Sequence, residues 1–458
     1  MKTSMAEANQ TLAIHSAFGE SVLATLGPTL FIIAGLLTCA PLEAQSLNIL
    51  HTFAHNTLGY NPMSGLIFGA SGELYGTVPF GGANGLGLAY ELAPPDSPSE
   101  MWTELVVHSF STKNGDGSPA AALLLGPNGP LYGVTSYNNI VNDNGTVFEI
   151  KSPSGTRSHW RENVLHAFTG TSGEGAGPNA SLIFGSQHSL YGTTYSGGSS
   201  SPQALGTVFK LTPPASDGGP WSEQIVHSFP GYSGDGANPV GPLTLGSGGV
   251  LYGATAAGAI SNYGAIFQLT PPVAQHGTWV EKLLYSFTGL NGDGYAPNAG
   301  VTLGPNGVLY GTTRYGGQYT TLDCTDGRGC GTVFQLTPPA VGGGAWTETI
   351  LHTFEGFASG DGSQPNSSLV LGPNGVLYGT TRTGGGVGTA PGYGTIFEMV
   401  PPPSPGGSWS ENVLYSFTGG NDGNTPNAVT LGTDGNLYGT TISGGTHKVG
   451  VVFQFVLQ

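Results

Sequence analysis

Two arginines stand at one position of neighbouring repeats and could bind a charged ligand. Arg314 and Arg382 each directly follow a Leu-Tyr-Gly-Thr-Thr segment, whereas the other copies of that segment are followed by uncharged residues. Because the chain has only 11 basic residues, two at one position could clamp an anion or a sugar through directed hydrogen bonds. Tyr315 and Tyr195 would add stacking surfaces. The alternative, that both are solvated surface arginines, stays open.

Histidines recur at a second repeat position, which could indicate a metal or catalytic site. Two repeats have Tyr285 and Tyr415 there instead. We expect the outer strands of different repeats to lie too far apart to share one ion, so packing is the expected role and no metal site is predicted. A recurring Trp-x-Glu element, as in Trp279 and Glu281, is expected to fix each repeat rather than to act as a catalytic carboxylate pair. The histidines are His51, His108, His166, His227 and His352.

Acidic residues occupy matching loop positions, mostly within Gly-Asp-Gly. They could bind calcium, which requires several oxygen ligands around one ion. They could also form Asp-Gly turns, in which Asp bonds nearby backbone and Gly adopts positive φ. One carboxylate per repeat favours the turn and leaves calcium as the alternative. No catalytic motif stands in a suitable strand and helix context, so no catalytic residue is predicted. The acids are Asp116, Glu174, Asp235, Asp293, Asp361 and Asp422.

A pair of cysteines, Cys324 and Cys330, lies in one glycine-rich loop. An even pair in an exported chain indicates a disulfide. Two free thiols or half of a metal site are the alternatives. No second Cys or His pair stands nearby in the sequence, which argues against zinc.

The elements that position these residues are four short β-like segments per repeat, here called a, b, c and d. Segments a and b are joined by Gly-Pro-Asn-Gly or a relative, which favours a tight hairpin. Segment c ends at a pair of prolines, and segment d alternates in polarity. Four antiparallel strands per repeat without helices are typical of a β-propeller blade. The tyrosine of segment b recurs at Tyr75, Tyr132, Tyr191, Tyr252, Tyr310, Tyr378 and Tyr438.

All seven blades have four strands only if one d strand is displaced to the N-terminal side of the first a strand. Leu47 to Phe53 reads as a d strand that precedes the first a strand, and the chain ends at Gln458 directly after the last c strand. The sequence therefore predicts an all-β fold over residues 46–458. It is a seven-bladed β-propeller of four-stranded antiparallel blades, whose ring is closed by the N-terminal strand so that no sheet edge stays open.

Loop lengths indicate which face could bind a partner. The spacing from the b tyrosine to the c aromatic varies from 15 to 24 residues, whereas the spacing from the c aromatic to the d tryptophan is always 12. In an antiparallel blade the b–c and d–a loops emerge on the same face. We therefore expect a protein or glycan ligand on the b–c loop face.

The N-terminal residues and the net charge limit location and partners. Residues 1–45 include an apolar run from Val22 to Cys39 and are predicted to be a signal peptide or an N-terminal membrane anchor. We accordingly expect a secreted, periplasmic or cell-surface monomer, with membrane contact only through an uncleaved N-terminal segment. A net charge of −16 repels phosphate backbones, so no nucleic-acid partner is predicted.

The Leu-Tyr-Gly-Thr-Thr, Gly-Thr-Val-Phe and Gly-Asp-Gly elements resemble those of GloVer tandem-repeat proteins, an exported bacterial family. This resemblance covers residues 47–458, and a weaker one links the blades to kelch repeats. The uniform repeats favour an exported, non-enzymatic propeller that binds protein or glycan. The alternative is an extracellular propeller enzyme that acts on a carbohydrate or a lactone, with its acid and base at the mouth of the central channel.

Overall fold

A computed structural model describes residues 45–457 except for short gaps. Of the predicted N-terminal signal or anchor (residues 1–45), residues 1–44 lie outside the described residues. Within the part that is described, no helix is both long enough and apolar enough to cross a bilayer. The gaps are residues 56–58, 98–99, 113–116, 120, 137–143, 154–158, 172, 200–204, 217, 232–233, 275–276, 319–323, 325–326, 342, 387–391 and 405.

The first three blades follow a displaced strand, β1 (Ser46–Thr52). Each blade is an antiparallel sheet whose strands lie in chain order. Blade 1 consists of β2 (Ile67–Phe68), β3 (Leu74–Val78), β4 (Leu88–Ala93) and β5 (Thr103–Ser109). Blade 2 consists of β6 (Leu124–Leu125), β7 (Leu131–Thr135), β8 (Thr146–Lys151) and β9 (Arg161–Ala167). Blade 3 consists of β10 (Gly175–Pro178), β11 (Ile183–Phe184), β12 (Leu190–Gly197), β13 (Thr207–Thr212) and β14 (Ser222–Ser228).

The next three blades repeat this order, with the innermost strand divided in blades 5 and 6. Blade 4 consists of β15 (Gly236–Leu245), β16 (Leu251–Gly258), β17 (Ala265–Thr270) and β18 (Val280–Ser286). Blade 5 consists of β19 (Gly294–Tyr295), β20 (Thr302–Leu303), β21 (Leu309–Thr313), β22 (Tyr315–Gly316), β23 (Thr332–Thr337) and β24 (Thr347–Thr353). Blade 6 consists of β25 (Gly362–Pro365), β26 (Val370–Leu371), β27 (Leu377–Gly384), β28 (Thr395–Val400) and β29 (Ser410–Ser416).

Blade 7 joins the two ends of the propeller and confirms the predicted closure. It consists of β30 (Asn424–Leu431), β31 (Leu437–Ser443), β32 (Val451–Val456) and the displaced strand β1. β1 pairs antiparallel with β32, with Leu47 opposite Phe455. The short 3-10 turns are Ser186–His188, Ser247–Gly249, Pro305–Gly307, Phe357–Ser359 and Pro373–Gly375.

Inside each blade, the glycine after the b tyrosine makes room for the c aromatic. In blade 2 an added Cβ at Gly133 would lie only 2.4 Å from the ring of Phe148. Phe148 is itself completely buried. The recurring Leu-Tyr-Gly segment therefore places a large ring in the blade interior without displacing the neighbouring strand.

Between blades, the last residue of each d segment packs on the c aromatic of the following blade. These rings meet edge-to-face or tilted, with centroids 5.1 to 5.4 Å apart, a geometry that aromatic pairs prefer. The seven contacts bury the apolar ends of all blades against one another. The pairs are Phe53–Tyr90, Phe110–Phe148, Phe168–Phe209, Phe229–Phe267, Phe287–Phe334, Phe354–Phe397 and Phe417–Phe453.

A backbone hydrogen bond accompanies each of these contacts. The donor is a residue with positive φ that precedes the proline of strand a, and its N–H reaches the preceding blade over 2.7 to 2.9 Å. In blade 4, Asn238 donates to Leu205, and Pro239 lies against Gly206 so closely that an added Cβ there would be 2.5 Å from the proline Cδ. The donors are Asn61, Ser118, Gly177, Asn238, Ala296, Gln364 and Thr425.

Candidate functional site

Three tyrosines form a continuous aromatic surface where blades 4 and 5 meet. The ring centroids of Tyr263 and Tyr295 are 4.9 Å apart, and those of Tyr295 and Tyr315 are 5.4 Å apart. Tyr263 is 41% exposed, and the other two rings are half-buried. All three belong to b–c or d–a connections or the strand ends beside them, so the surface lies on the predicted binding face.

Local backbone geometry explains why these rings meet. Strands β19 and β22 form a two-stranded antiparallel ladder in which Tyr295 stands directly opposite Tyr315. Side chains of such cross-strand pairs lie on the same face of the sheet. The N–H of Ala296 donates to the carbonyl of Tyr263 over 2.8 Å, which fixes the third tyrosine beside them.

Two guanidinium groups cover one end of this surface. The central guanidinium carbon of Arg314 lies 5.1 Å from the Tyr315 ring centroid, and that of Arg328 lies 5.7 Å from it. Arg314 also donates from Nε and Nη2 to Oε1 of Gln364 in blade 6, over 3.3 and 3.2 Å. The cation–π contact with Tyr315 and the two hydrogen bonds to Gln364 hold Arg314 in place. We call Tyr263, Tyr295, Tyr315, Arg314 and Arg328 the Tyr–Arg platform.

The loop that carries Arg328 is held in two ways. The backbone carbonyl of Arg328 accepts a hydrogen bond from the N–H of Gly316 over 2.9 Å. Cys324 and Cys330, on either side of Arg328, form a disulfide and are fully buried. The predicted cysteine pairing is therefore present, and it supports one of the two cations of the platform.

Burial keeps the phenol of Tyr295 protonated at neutral pH. Burial raises the pKa of Tyr295, with a smaller opposing effect from the nearby Arg328 guanidinium. The hydroxyl of Tyr295 can therefore donate a hydrogen bond to a bound molecule. The ring faces can stack on sugar C–H groups, and the guanidinium groups can pair with carboxylate or sulfate.

Of the four predicted ligand-binding residues, Arg314 and Tyr315 are in direct contact. Arg382 is exposed on β27 in blade 6, and Tyr195 is 45% exposed on β12 in blade 3. Among the described residues, the ring contacts that join the platform include neither Arg382 nor Tyr195. A clamp that contains all four residues stays a prediction.

Sequence reasoning missed Tyr263, Tyr295 and Arg328, although the repeat contains a signal for two of them. Tyr263 directly precedes the glycine that begins strand c, a position that also holds Tyr393 in blade 6. Tyr295 stands two residues before the proline of strand a, as Tyr60 does in blade 1. Aligning the repeats on that glycine and proline would have shown aromatic residues on both sides of one junction.

The expectation that outer strands of different repeats lie too far apart to share one ion does not hold for adjacent blades, whose side chains meet. Nε2 of His51 lies 3.0 Å from Oε2 of Glu104, the glutamate of the next blade's Trp-x-Glu element. His108 meets Glu162 in the same way at 3.4 Å. The reason is that each histidine stands two residues before the phenylalanine buried at the junction, so the end of strand d lies against the following blade.

The acidic loop residues make the hydrogen bonds expected of turns. Oδ1 of Asp235 accepts the N–H of Gly236 over 2.6 Å, and Oδ2 of Asp422 accepts the N–H of Thr418 over 2.7 Å. Asp116 lies outside the described residues. Calcium binding by these loops stays an untested expectation.

Two other concave regions have a structural explanation. The central channel has a volume of about 400 Å³, and its described lining contains no titratable side chain. A groove of about 1200 Å³ on the opposite face contains Lys210, Tyr191 and Trp279. The Tyr191–Trp279 contact recurs at four other junctions, so it belongs to the repeat.

Solved structures that share this fold include enzymes. A proposed 6-phosphogluconolactonase from Bacteroides uniformis ATCC 8492 is 16% identical over 86% of this chain and 99% of its own, with a TM-score of 0.47. An ulvan lyase of polysaccharide lyase family PL25 is 8% identical over 89% and 96%, also at 0.47. A glucose dehydrogenase is 14% identical over 90% and 99%, at 0.41.

These comparisons correct the main function predicted from the sequence. The sequence predicted a non-enzymatic scaffold. The solved structures named above are enzymes or a proposed enzyme, and they agree better with the enzymatic alternative. Identities this low show the fold alone, so none of their substrates is transferred to this chain.

The repeat itself identifies the family. No curated protein matches this sequence. The model of the Gloeobacter/Verrucomicrobia repeat matches residues 34–173, 106–325 and 319–458, which together include every blade. The chain therefore belongs to the Gloeobacter/Verrucomicrobia repeat family.

Proposed function

We propose that this protein is an exported enzyme that acts on an acidic carbohydrate bound at the Tyr–Arg platform. The observation that carries the proposal is the continuous contact of three tyrosine rings with two guanidinium groups on one loop face. Stacking rings select the C–H faces of sugars, and paired cations select a carboxylate or sulfate substituent.

The charge of the whole chain makes this selection local. With a net charge of −16 the protein repels anions in general. Arg314 and Arg328 bring two of its 11 basic residues to one aromatic surface. An acidic polymer is therefore expected to be held at this surface and not elsewhere on the loop face.

Each platform residue has a distinct expected role. Tyr263, the exposed ring of the three, binds a sugar ring, and Arg314, held by Gln364 and the Tyr315 ring, orients the acidic substituent. Tyr295 lies between the other two rings, and its raised pKa keeps its hydroxyl protonated. We assign Tyr295 as a hydrogen-bond donor to a substrate oxygen.

The test is a turnover assay with defined polymers. The purified protein would be incubated with polygalacturonate, alginate and chondroitin sulfate, with dextran as a neutral control, and new chain ends would be measured. We expect turnover of at least one acidic polymer and none of dextran. Arg314→Ala and Tyr295→Phe should each lower kcat/KM by at least about tenfold, equivalent to about 1.4 kcal/mol.

Matched variants separate the platform from the rest of the loop face. Tyr195→Ala removes an exposed ring in blade 3 and tests whether this predicted stacking residue contributes. Arg382→Ala tests whether the arginine at the position equivalent to Arg314 contributes. The proposal fails if no acidic polymer is turned over, or if Tyr295→Phe is as active as the unaltered protein. Hydrolysis of glucono-δ-lactone that is insensitive to platform variants would instead support a lactone substrate.

A further inference from the structure

Two junctions between blades bring one histidine and two carboxylates together. Between blades 2 and 3, Nε2 of His166 lies 3.5 Å from Oε1 of Glu174 and 3.8 Å from Oε1 of Glu223. The three ligand atoms all lie within 4.8 Å of one another. His166 comes from β9, Glu174 from the following loop, and Glu223 from β14 of the next blade.

These separations suit ligands of a metal ion better than a hydrogen-bonded cluster. Among the described residues, Nε2 of His166 and Oε1 of Glu223 are both buried without a hydrogen-bond partner. Nitrogen and oxygen ligands at about 2.0 Å from a tetrahedral zinc ion stand roughly 3.3 Å from each other. Small side-chain movements would bring all three ligand atoms to about 2.0 Å from a common centre.

The electrostatics of this junction favour a cation. Two carboxylates, Glu174 and Glu223, face one imidazole within 4.8 Å, and they repel each other when both are ionised. A divalent ion bound between them would remove that repulsion.

A second cluster of one histidine and two carboxylates joins blades 5 and 6, and in it Nε2 of His352 already pairs with Oδ2 of Asp361 at 3.1 Å. Its ligand atoms, from His352, Asp361 and Glu411, also lie within 4.8 Å of one another. The Asp361 carboxylate is oriented by the N–H groups of Gly362 and Glu355 over 2.5 and 2.8 Å, a typical supporting shell for a metal ligand.

At the junction of blades 4 and 5, a tyrosine stands at the repeat position of the histidine. Between blades 4 and 5, Tyr285 occupies the histidine position, and its hydroxyl donates to Oε2 of Glu348 over 3.0 Å. That bond satisfies Oε2 of the carboxylate without an ion, whereas Oε1 is buried without a hydrogen-bond partner among the described residues. Tyrosine is therefore a substitution that this repeat position already accommodates.

We propose that the clusters His166–Glu174–Glu223 and His352–Asp361–Glu411 each bind one divalent transition-metal ion, with zinc the best match to one nitrogen and two oxygen ligands. Each ion would connect the outer strands of adjacent blades, with water completing its coordination. The sites are separate from the Tyr–Arg platform, and the proposal does not depend on the proposed function.

The test measures zinc stoichiometry after removal of metal with a chelator. Equilibrium dialysis against zinc should give two ions per chain for the unaltered protein, one each for His166→Tyr and His352→Tyr, and none for the double variant. Cobalt should give a visible absorption band that the double variant lacks. Zinc should raise the Tm of the unaltered protein and leave that of the double variant unchanged.

His227→Tyr is the matched control, because Nε2 of His227 pairs with Asp235 at 3.1 Å but belongs to neither three-residue cluster. It should still bind two zinc ions. Equal zinc binding by the double variant and the unaltered protein would overturn the proposal, as would binding of less than one ion by the unaltered protein. Loss of zinc in His227→Tyr would assign the ions to the wrong junctions and would also overturn it.

Discussion

The junctions between blades repeat the same contacts around the ring, whereas the Tyr–Arg platform depends on residues that change from one repeat to the next. Blade 1 makes the difference clear. Tyr60 and Phe80 occupy the positions of Tyr295 and Tyr315, and their rings stack with centroids 5.6 Å apart. The position of Arg314 holds Pro79 there. The repeat therefore supplies aromatic surfaces at more than one junction, and the added charge distinguishes blade 5.

This difference separates what stabilises the fold from what binds. Junction contacts are buried and shared by seven blades, so their loss should reduce stability. Platform residues are exposed or half-buried and should contribute little to stability, since exposed ion pairs and cation–π contacts are weak in water. The following predictions test that separation from the largest expected effect to the smallest.

The largest effect should follow removal of the closing strand. A chain that begins at Gly59 lacks β1 and loses Leu50 and Phe53, which are 7% and 0% exposed. It also exposes the edge of β32. We expect a loss of more than about 4 kcal/mol in the free energy of unfolding. Urea unfolding with an unchanged midpoint would show that the ring is not closed by this strand.

A smaller effect should follow Gly206→Ala. This glycine has a φ of 107°, and an added Cβ would lie 2.4 Å from the carbonyl oxygen of Thr194 and 2.5 Å from Pro239. We expect a loss of roughly 3 kcal/mol from strain and steric overlap. Gly248→Ala is the control, because its φ is also positive but nothing lies within 4 Å of the added atom. Its cost should be about 1 kcal/mol, and equal costs would count against junction packing.

Removal of the disulfide should have a moderate effect. Cys324 and Cys330 close a short loop, so replacing both by serine should lower the free energy of unfolding by about 2 kcal/mol at most. The same change should weaken substrate binding, because the loop carries Arg328. Calorimetry and the turnover assay together would test both statements, and an unchanged KM would mean that the loop holds Arg328 without the disulfide.

The smallest effect should be a dependence of stability on pH at the junction of blades 4 and 5. Burial raises the folded-state pKa of Glu348 to about 7, with Asp293 adding to the effect and the Tyr285 hydroxyl opposing it. A raised folded-state pKa stabilises the protein at low pH, and this contribution is lost as the pH rises through about 7. With a chelator present, the Tm of the unaltered protein should fall between pH 5 and pH 8. The Tm of Glu348→Gln should fall less over the same range. A parallel fall would assign the dependence to other groups.

The fold could be predicted from the sequence because its determinants are local and repeated. Strand order, blade count and closure by Leu47 to Phe53 all follow from residue spacings that recur in every repeat. Even the Gly-Pro-Asn-Gly hairpins were predictable, as Asn306 and Asn374 adopt φ values of 59° and 57°.

The site was harder to predict because its residues meet across a junction. Tyr263 and Tyr295 belong to different blades, and only the angle between blades brings their rings to 4.9 Å. The same angle brings His51 to Glu104, a contact that spacing within one repeat does not show. Pair contacts between repeats depend on ring geometry, which a single repeat does not encode.

The closing strand also constrains when the ring can form. Asn48 and Gln454 bond across β1 and β32 although 406 residues separate them in the chain. Contacts within each blade are local and can form early, whereas this pairing must wait until the end of the chain is available. Until then the edge of blade 7 and the apolar face of β1 are both exposed. We therefore expect closure to be the slow and aggregation-sensitive step of folding.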